Sequence, residues 1–170
     1  PPLRRAAVRV AEAVEEAVAA VRAAEARERT IAAYARRYGI GRDLASAIER
    51  AARAEGVEVE LAFRLVRVES AFRERAVSSV GAIGLTQLMP ATARWLQPGV
   101  KTAQLRNSET NLRIGFKYLR DLIEKYDGDT ELALLAYNRG PGTVDRVLKR
   151  GGNPDNGYPD MVLRDATPRH

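Results

Sequence analysis

Residues 67–93 read RVESAFRERAVSSVGAIGLTQLMPATA, and they place one carboxylate, Glu69, at the end of an apolar run. Leu65 and Val66 precede Glu69 by one helical turn and Phe72 follows it. Apolar surroundings strip water from a carboxylate and raise its pKa. An acid that keeps its proton near neutral pH can act as a general acid. Arg73, four residues on, offers a plainer alternative, a surface ion pair. Periodicity alone leaves both readings open. The stretch SSVGAIG adds Gly81 and Gly84, residues suited to close backbone approach or positive φ. Gln87 and Met89 come next. Gln87 offers a donor and an acceptor for an amide or a sugar hydroxyl, and Met89 offers soft apolar contact. A groove lined this way suits a sugar bearing an N-acetyl group. Core filling or helix capping is the alternative for each.

Composition narrows the chemistry. The chain of 170 residues has no Cys, which excludes disulfides, thiol catalysis and cysteine-ligated metals. Its one His is His170, so acid–base work falls to carboxylates, Tyr or Lys, and neither metal nor cofactor is expected. The net charge of +6 favours anionic partners. Basic residues are interleaved with acids rather than run together, so nucleic acid is not the expected partner. No apolar run approaches the roughly 20 residues of a membrane span. The chain opens on Pro rather than Met, as expected of a fragment or processed form. Any targeting segment is expected to be missing from such a form, and its absence carries no meaning.

The elements that must position Glu69 are all helical. Residues 3–29 lack Gly and Pro and carry Val10, Val14, Val18 and Val21 at near-helical spacing, which predicts one long helix. A second is expected over 30–38 and a third over 43–55, capped by Asp43 and stopped by Gly56. A helix over 58–72 would carry Leu61, Leu65, Val68 and Phe72 on one stripe and Glu69 on the next. Residues 76–86 read as a loop and 90–97 as a short helix opened by Pro90. A longer helix over 108–126 has Asn107 or Ser108 as its cap, and a buried stripe of Leu112, Phe116, Leu119, Ile123 and Tyr126. Gly115 inside it costs roughly 1 kcal/mol relative to Ala, a cost that a close helix crossing would justify. Helices over 131–138 and 143–150 follow. The expected fold is all-α: an N-terminal helical extension over 1–40, a lysozyme-like catalytic domain over 41–152 and an irregular tail over 153–170.

Three motifs in order carry a resemblance: ES followed by SSVGAIGLTQLMPATA, then NLRIGFKYL, then ALLAYNRGPGTV. Together they resemble the lytic transglycosylase catalytic domain of the soluble-lytic-transglycosylase type, whose fold is related to that of goose-type lysozyme. The likeness covers roughly residues 57–150. It implies cleavage of the β-1,4 bond between N-acetylmuramic acid and N-acetylglucosamine in peptidoglycan, and a cell-envelope location, periplasmic or extracellular. The family's catalytic acid falls on Glu69 and its pocket Ser on Ser78. Its sugar-contacting Gln and Met fall on Gln87 and Met89, and its Ala-Tyr-Asn on Ala136, Tyr137 and Asn138, with Tyr137 reaching towards the Glu. Asn111 is expected to be architectural. Thr86 stands where the family commonly has Met, a change expected in the groove wall. VLRDATPRH resembles a worn form of the family's Glu-Thr-x-x-Tyr-Val segment, so the last wall of the fold is expected to be incomplete or supplied otherwise.

The resemblance implies a single acid that gives a proton and then takes one, with the substrate's N-acetyl group as nucleophile and a 1,6-anhydromuramic end as product. A hydrolytic muramidase on the same fold is one rival. It would need a second carboxylate, for which Glu74, Glu109, Asp127, Asp129 and Asp145 are candidates. A non-catalytic wall-binding or scaffold module is another, with the N-terminal helix docking a protein partner.

Overall fold

The computed structural model describes residues 2–164. The chain divides into two compact units, Pro1–Ser46 and Ala47–His170; the sequence had suggested a soft boundary near residue 40.

In the first unit a single helix, α1, runs over Pro2–Tyr38. The break expected near residue 30 is absent. No Gly or Pro interrupts the chain there, and the Thr30 hydroxyl donates back to the Ala26 carbonyl (3.0 Å) instead of capping a new helix. Val10, Val14, Val18 and Val21 are exposed along it, while Ile31 and Ala35 are buried. Gly39, at φ +64°, ends the helix. Helix α2, Arg42–Glu55, begins in this unit and continues into the second. Gly56, at φ +70°, stops it.

The second unit contains α3 (Val59–Ser70), α4 (Pro90–Leu96), a 3₁₀ turn (Thr102–Arg106), α5 (Ser108–Lys125), α6 (Thr130–Arg139), α7 (Pro141–Lys149) and α8 (Tyr158–Leu163). Between α3 and α4 only isolated antiparallel bridges occur, Val77 with Ile83 and Ile83 with Leu88. The described residues form no strand, and the fold is all-α. Caps fix two helix starts: Asn107 accepts from the Thr110 amide (2.9 Å) and Asp129 from the Leu132 amide (2.9 Å). Helix α5 is central and touches α4, the 3₁₀ turn and α6. Its buried face is therefore wider than the expected stripe and adds Ile114, Gly115, Tyr118 and Leu122.

Two expectations are corrected here. Helix α3 ends at Ser70, and Ala71 and Phe72 turn into the left-handed region, at φ 49° and 61°. Phe72 thus leaves the helical stripe. Residues 158–163, expected to be irregular, form α8. Gly157 supplies a left-handed start, and Pro159 suits a first turn, where its missing N–H is not needed. Buried Tyr158 and Val162 set α8 against α3 and α6. Arg64 and Arg67 of α3 donate to the carbonyls of Leu163, Met161 and Arg164 at its C-terminal end. The expected worn segment, VLRDATPRH, lies beyond residue 164 for most of its length, outside the described residues.

Candidate active site

Glu69 occupies the last turn of α3. Immediately after it the chain reverses through Ala71 and Phe72. Non-glycine residues at positive φ are uncommon, and two in succession cost backbone energy. Ser70 anchors the turn with its hydroxyl on the Val66 carbonyl (3.1 Å), and Arg73 Nε donates to the Ser70 carbonyl (3.0 Å). Arg73 therefore braces the turn and is not an ion-pair partner of Glu69, so the plainer alternative fails.

The loop over 76–89 is held by its own backbone. Ser78 and Ala82 bond through the Ser78 amide and Ala82 carbonyl (2.9 Å), and the Ser78 hydroxyl accepts from the Ala82 amide (3.0 Å). Ile83 and Leu88 exchange two backbone bonds of 2.9 and 3.0 Å. Gln87, itself at φ 47°, donates Nε2 to the Gly84 (3.0 Å) and Ala76 (3.3 Å) carbonyls. Its donor end thus braces the loop, and Oε1 remains for a ligand.

A buried amide fastens this loop to α5. Asn111 is fully buried, as its expected architectural role requires. Its Oδ1 accepts from the Thr86 amide (2.9 Å) and hydroxyl (2.8 Å), and its Nδ2 donates to the Ile83 (2.8 Å) and Leu105 (3.0 Å) carbonyls. Gly84, at φ +78°, lies so close that a Cβ there would stand 2.5 Å from Asn111 Nδ2. Thr86 is fully buried rather than part of a groove wall, because Asn111 gives its hydroxyl a partner inside the core. Gly115 makes room for it: a Cβ there would stand 2.3 Å from Thr86 Oγ1. The close neighbour of Gly115 is therefore this loop and not a crossing helix. From α6, the Tyr137 hydroxyl donates to the Thr86 carbonyl (2.8 Å), and its ring lies 5.2 Å from that of Tyr118.

The Tyr158 hydroxyl, from α8, donates to Glu69 Oε1. Burial pushes the Glu69 carboxyl above its ordinary range, and the Tyr158 bond pulls it part of the way back. Tyr158 itself is pushed well up, by burial first and then by the Glu69 charge, so it remains a donor. Tyr137 is raised by burial and, secondly, by the same charge, while its hydroxyl faces Thr86 rather than Glu69.

A cavity of about 450 Å³ opens against Glu69, lined by Arg73, Arg75, Ala76, Val77, Ser78 and Gln87. Among the described residues Glu69 is the only acid that lines it. Glu69, Ser78 and Gln87 are thus brought together. Met89, at the start of α4 and 40 % exposed, and Asn138, which accepts from Asn156 Nδ2 (2.9 Å), do not line it. Most of the candidate second carboxylates are engaged elsewhere. Glu74 accepts from the Ser108 hydroxyl (2.7 Å), Glu109 faces Arg50 (3.7 Å), Asp145 pairs with Lys125 (2.9 Å) and Asp129 caps α6. Asp127 sits in the turn after α5, at φ 52°. Sequence reasoning missed Tyr158. The available signal was Gly157, Tyr158, Pro159 and Val162, a helix start followed by apolar residues at i and i+4 spacing.

Comparison with known proteins agrees with this architecture. The family profile described as Transglycosylase SLT domain matches residues 46–157. The soluble lytic murein transglycosylase of Escherichia coli (strain K12) is 38% identical over 89 residues, covering 49% of this chain and 14% of that protein. Membrane-bound lytic murein transglycosylase C of Histophilus somni (strain 2336) is 32% identical over 142 residues, 72% of this chain and 39% of that one. Among solved structures, an inactive glutamate-to-glutamine mutant of the lytic transglycosylase Slt from Pseudomonas aeruginosa superposes with a TM-score of 0.60 at 33% identity. That match covers 69% of this chain and 22% of the other. The chain thus spans well under half the length of each of these relatives.

Proposed function

Because the chain belongs to the Transglycosylase SLT domain family, we propose that it cleaves the β-1,4 bond between N-acetylmuramic acid and N-acetylglucosamine in peptidoglycan, leaving a 1,6-anhydro end. The observation that carries this reading is Glu69, a half-buried acid with a raised pKa, the one acid among the described residues that line its cavity, and bonded to Tyr158. The Pseudomonas relative whose glutamate-to-glutamine mutant is inactive lends further support to an essential glutamate.

In this mechanism Glu69 gives its proton to the bridging oxygen as the glycosidic bond breaks. The N-acetyl oxygen of the muramic residue closes on the anomeric carbon, forming a cyclic intermediate. Glu69, now a carboxylate, takes the proton of the C6 hydroxyl. That oxygen attacks the anomeric carbon, opens the cyclic intermediate and restores the N-acetyl group. The products together have the composition of the substrate, and no water is consumed. Burial keeps Glu69 protonated for the first step, and Tyr158 steadies the carboxylate for the second. Ser78 retains a hydroxyl proton with which to orient the N-acetyl group, and Gln87 Oε1 can accept from a sugar hydroxyl. Tyr137 fixes the loop that carries Gln87. Met89 and Asn138 would meet sugars further along the strand. Among the described residues that line the cavity Glu69 is the only acid, so the second carboxylate of a two-carboxylate muramidase has no candidate there. The site of action is the cell envelope. Among the described residues no helix is long and apolar enough to cross a membrane.

Digestion of purified peptidoglycan with mass analysis of the products tests the proposal. Glycan ends one water lighter than reducing ends are expected. Glu69→Gln should slow the reaction roughly 10²- to 10⁴-fold. Reducing ends, or a Glu69→Gln variant as fast as the parent, would sink it.

A further inference from the structure

The mechanism makes no use of two residues in the wall of the cavity. Arg73 and Arg75 line it together with Glu69, Ser78 and Gln87. In sequence Glu74 lies between them and looks like a neutralising partner. In the structure it is not: Glu74 turns to the start of α5 and accepts from the Ser108 hydroxyl (2.7 Å). Arg73 commits only Nε, to the Ser70 carbonyl (3.0 Å), which fixes the stem of the side chain. Arg75 has no hydrogen bond or ion pair among the described residues. Among the described residues no ion pair joins Glu69 to either one, and its carboxyl accepts from Tyr158. Two guanidinium groups, one of them braced, therefore face the cavity with their terminal nitrogens unpaired. A planar guanidinium matches a carboxylate in a bidentate fork. Neutral sugars offer nothing of that kind.

We propose that Arg73 and Arg75 form an anion subsite that takes a carboxylate carried by the glycan strand beside the bond to be cut. This deepens the reading above and rests on it. A strand of the proposed substrate carries such groups in two places: on the lactyl ether of muramic acid, and on any peptide attached there. The subsite makes the enzyme selective for carboxylated strands. It acts on binding rather than on the chemical step, so Arg75→Gln, which leaves the Arg73 brace on Ser70 intact, raises KM and leaves kcat in place.

The test uses the whole chain with Glu69→Gln as background, so that binding is read without cutting. Co-sedimentation is measured on three insoluble probes: peptidoglycan as isolated, the same material with its carboxylates converted to methylamides, and glycan stripped of peptide so that only lactyl carboxylates remain. The background chain should bind native material more tightly than amidated material. Arg75→Gln should weaken binding to native material and leave binding to amidated material unchanged, and Arg73→Gln/Arg75→Gln should weaken binding to native material roughly three- to tenfold, as expected for two solvent-facing charge pairs. Arg5→Gln/Arg9→Gln on α1 removes the same charge far along the sequence and should leave the preference intact. Retention on stripped glycan assigns the lactyl group, and its loss there assigns the peptide. Equal binding to native and amidated material overturns the subsite, as does a control variant that weakens binding as much as the cavity variant. Cleavage is scored separately with the Glu69 parent. Preference without product sinks the transglycosylase reading alone, and product without preference sinks the subsite alone.

Discussion

Glu69 titrates under two opposed influences, and its pH behaviour follows from their order. Burial dominates and raises the pKa, while the Tyr158 hydroxyl favours the carboxylate. The protonated form is the active acid, so kcat/KM should fall as pH rises through the raised pKa. Tyr158→Phe removes the lowering influence and should move that alkaline limb upward, measured as a pH–rate profile; an unmoved limb would detach Tyr158 from the acid. Stability carries the same sign. A folded-state pKa above the unfolded value gives a contribution fully present below the unfolded pKa and lost as pH rises through the folded one. Glu69, Ser78 and Gln87 were legible in sequence because each lies in one contiguous motif. Tyr158 was not, because its partner is 89 residues away and only tertiary packing brings the two together.

Helix α5 and the loop over 76–89 interlock through one missing side chain. In an ordinary helix interior Gly→Ala is stabilising by about 1 kcal/mol. At position 115 the added methyl group would meet Thr86 Oγ1 at 2.3 Å and Thr86 Cβ at 2.5 Å. Gly115→Ala should therefore destabilise the fold by about 1–3 kcal/mol, as overpacking does. Chemical denaturation measures it, and a gain in stability would mean that the loop yields easily. Sequence periodicity finds the helical segments, but it splits α1 near residue 30, overruns the end of α3 and misses α8. The end of α3 depends on left-handed Ala71 and Phe72, residue types with no preference for that region. Helix α8 has only six residues and is held by Arg64 and Arg67 from α3, which no local pattern announces.

For the molecule as a whole, a net charge of +6 should hold it to an anionic polymer beyond any single contact. Raising ionic strength from about 0.01 M to 0.15 M shortens the screening length from about 30 Å to about 8 Å. Retention of the parent chain on native peptidoglycan should fall over that range, and co-sedimentation that ignores salt would rule out a long-range contribution. The all-α class was readable from composition and period alone, and the three ordered motifs located the site within it. The unit boundary at residues 46/47 cuts through the continuous helix α2, where no Pro or Gly marks it. The dependence of Glu69 on Tyr158 has a temporal consequence. A chain emerging from the ribosome presents the acid 89 residues before the hydroxyl that tunes it. Until the segment carrying Tyr158 is synthesised and docked, the glutamate lacks the hydroxyl that favours its carboxylate, so the acid reaches its final poise only when Tyr158 is in place.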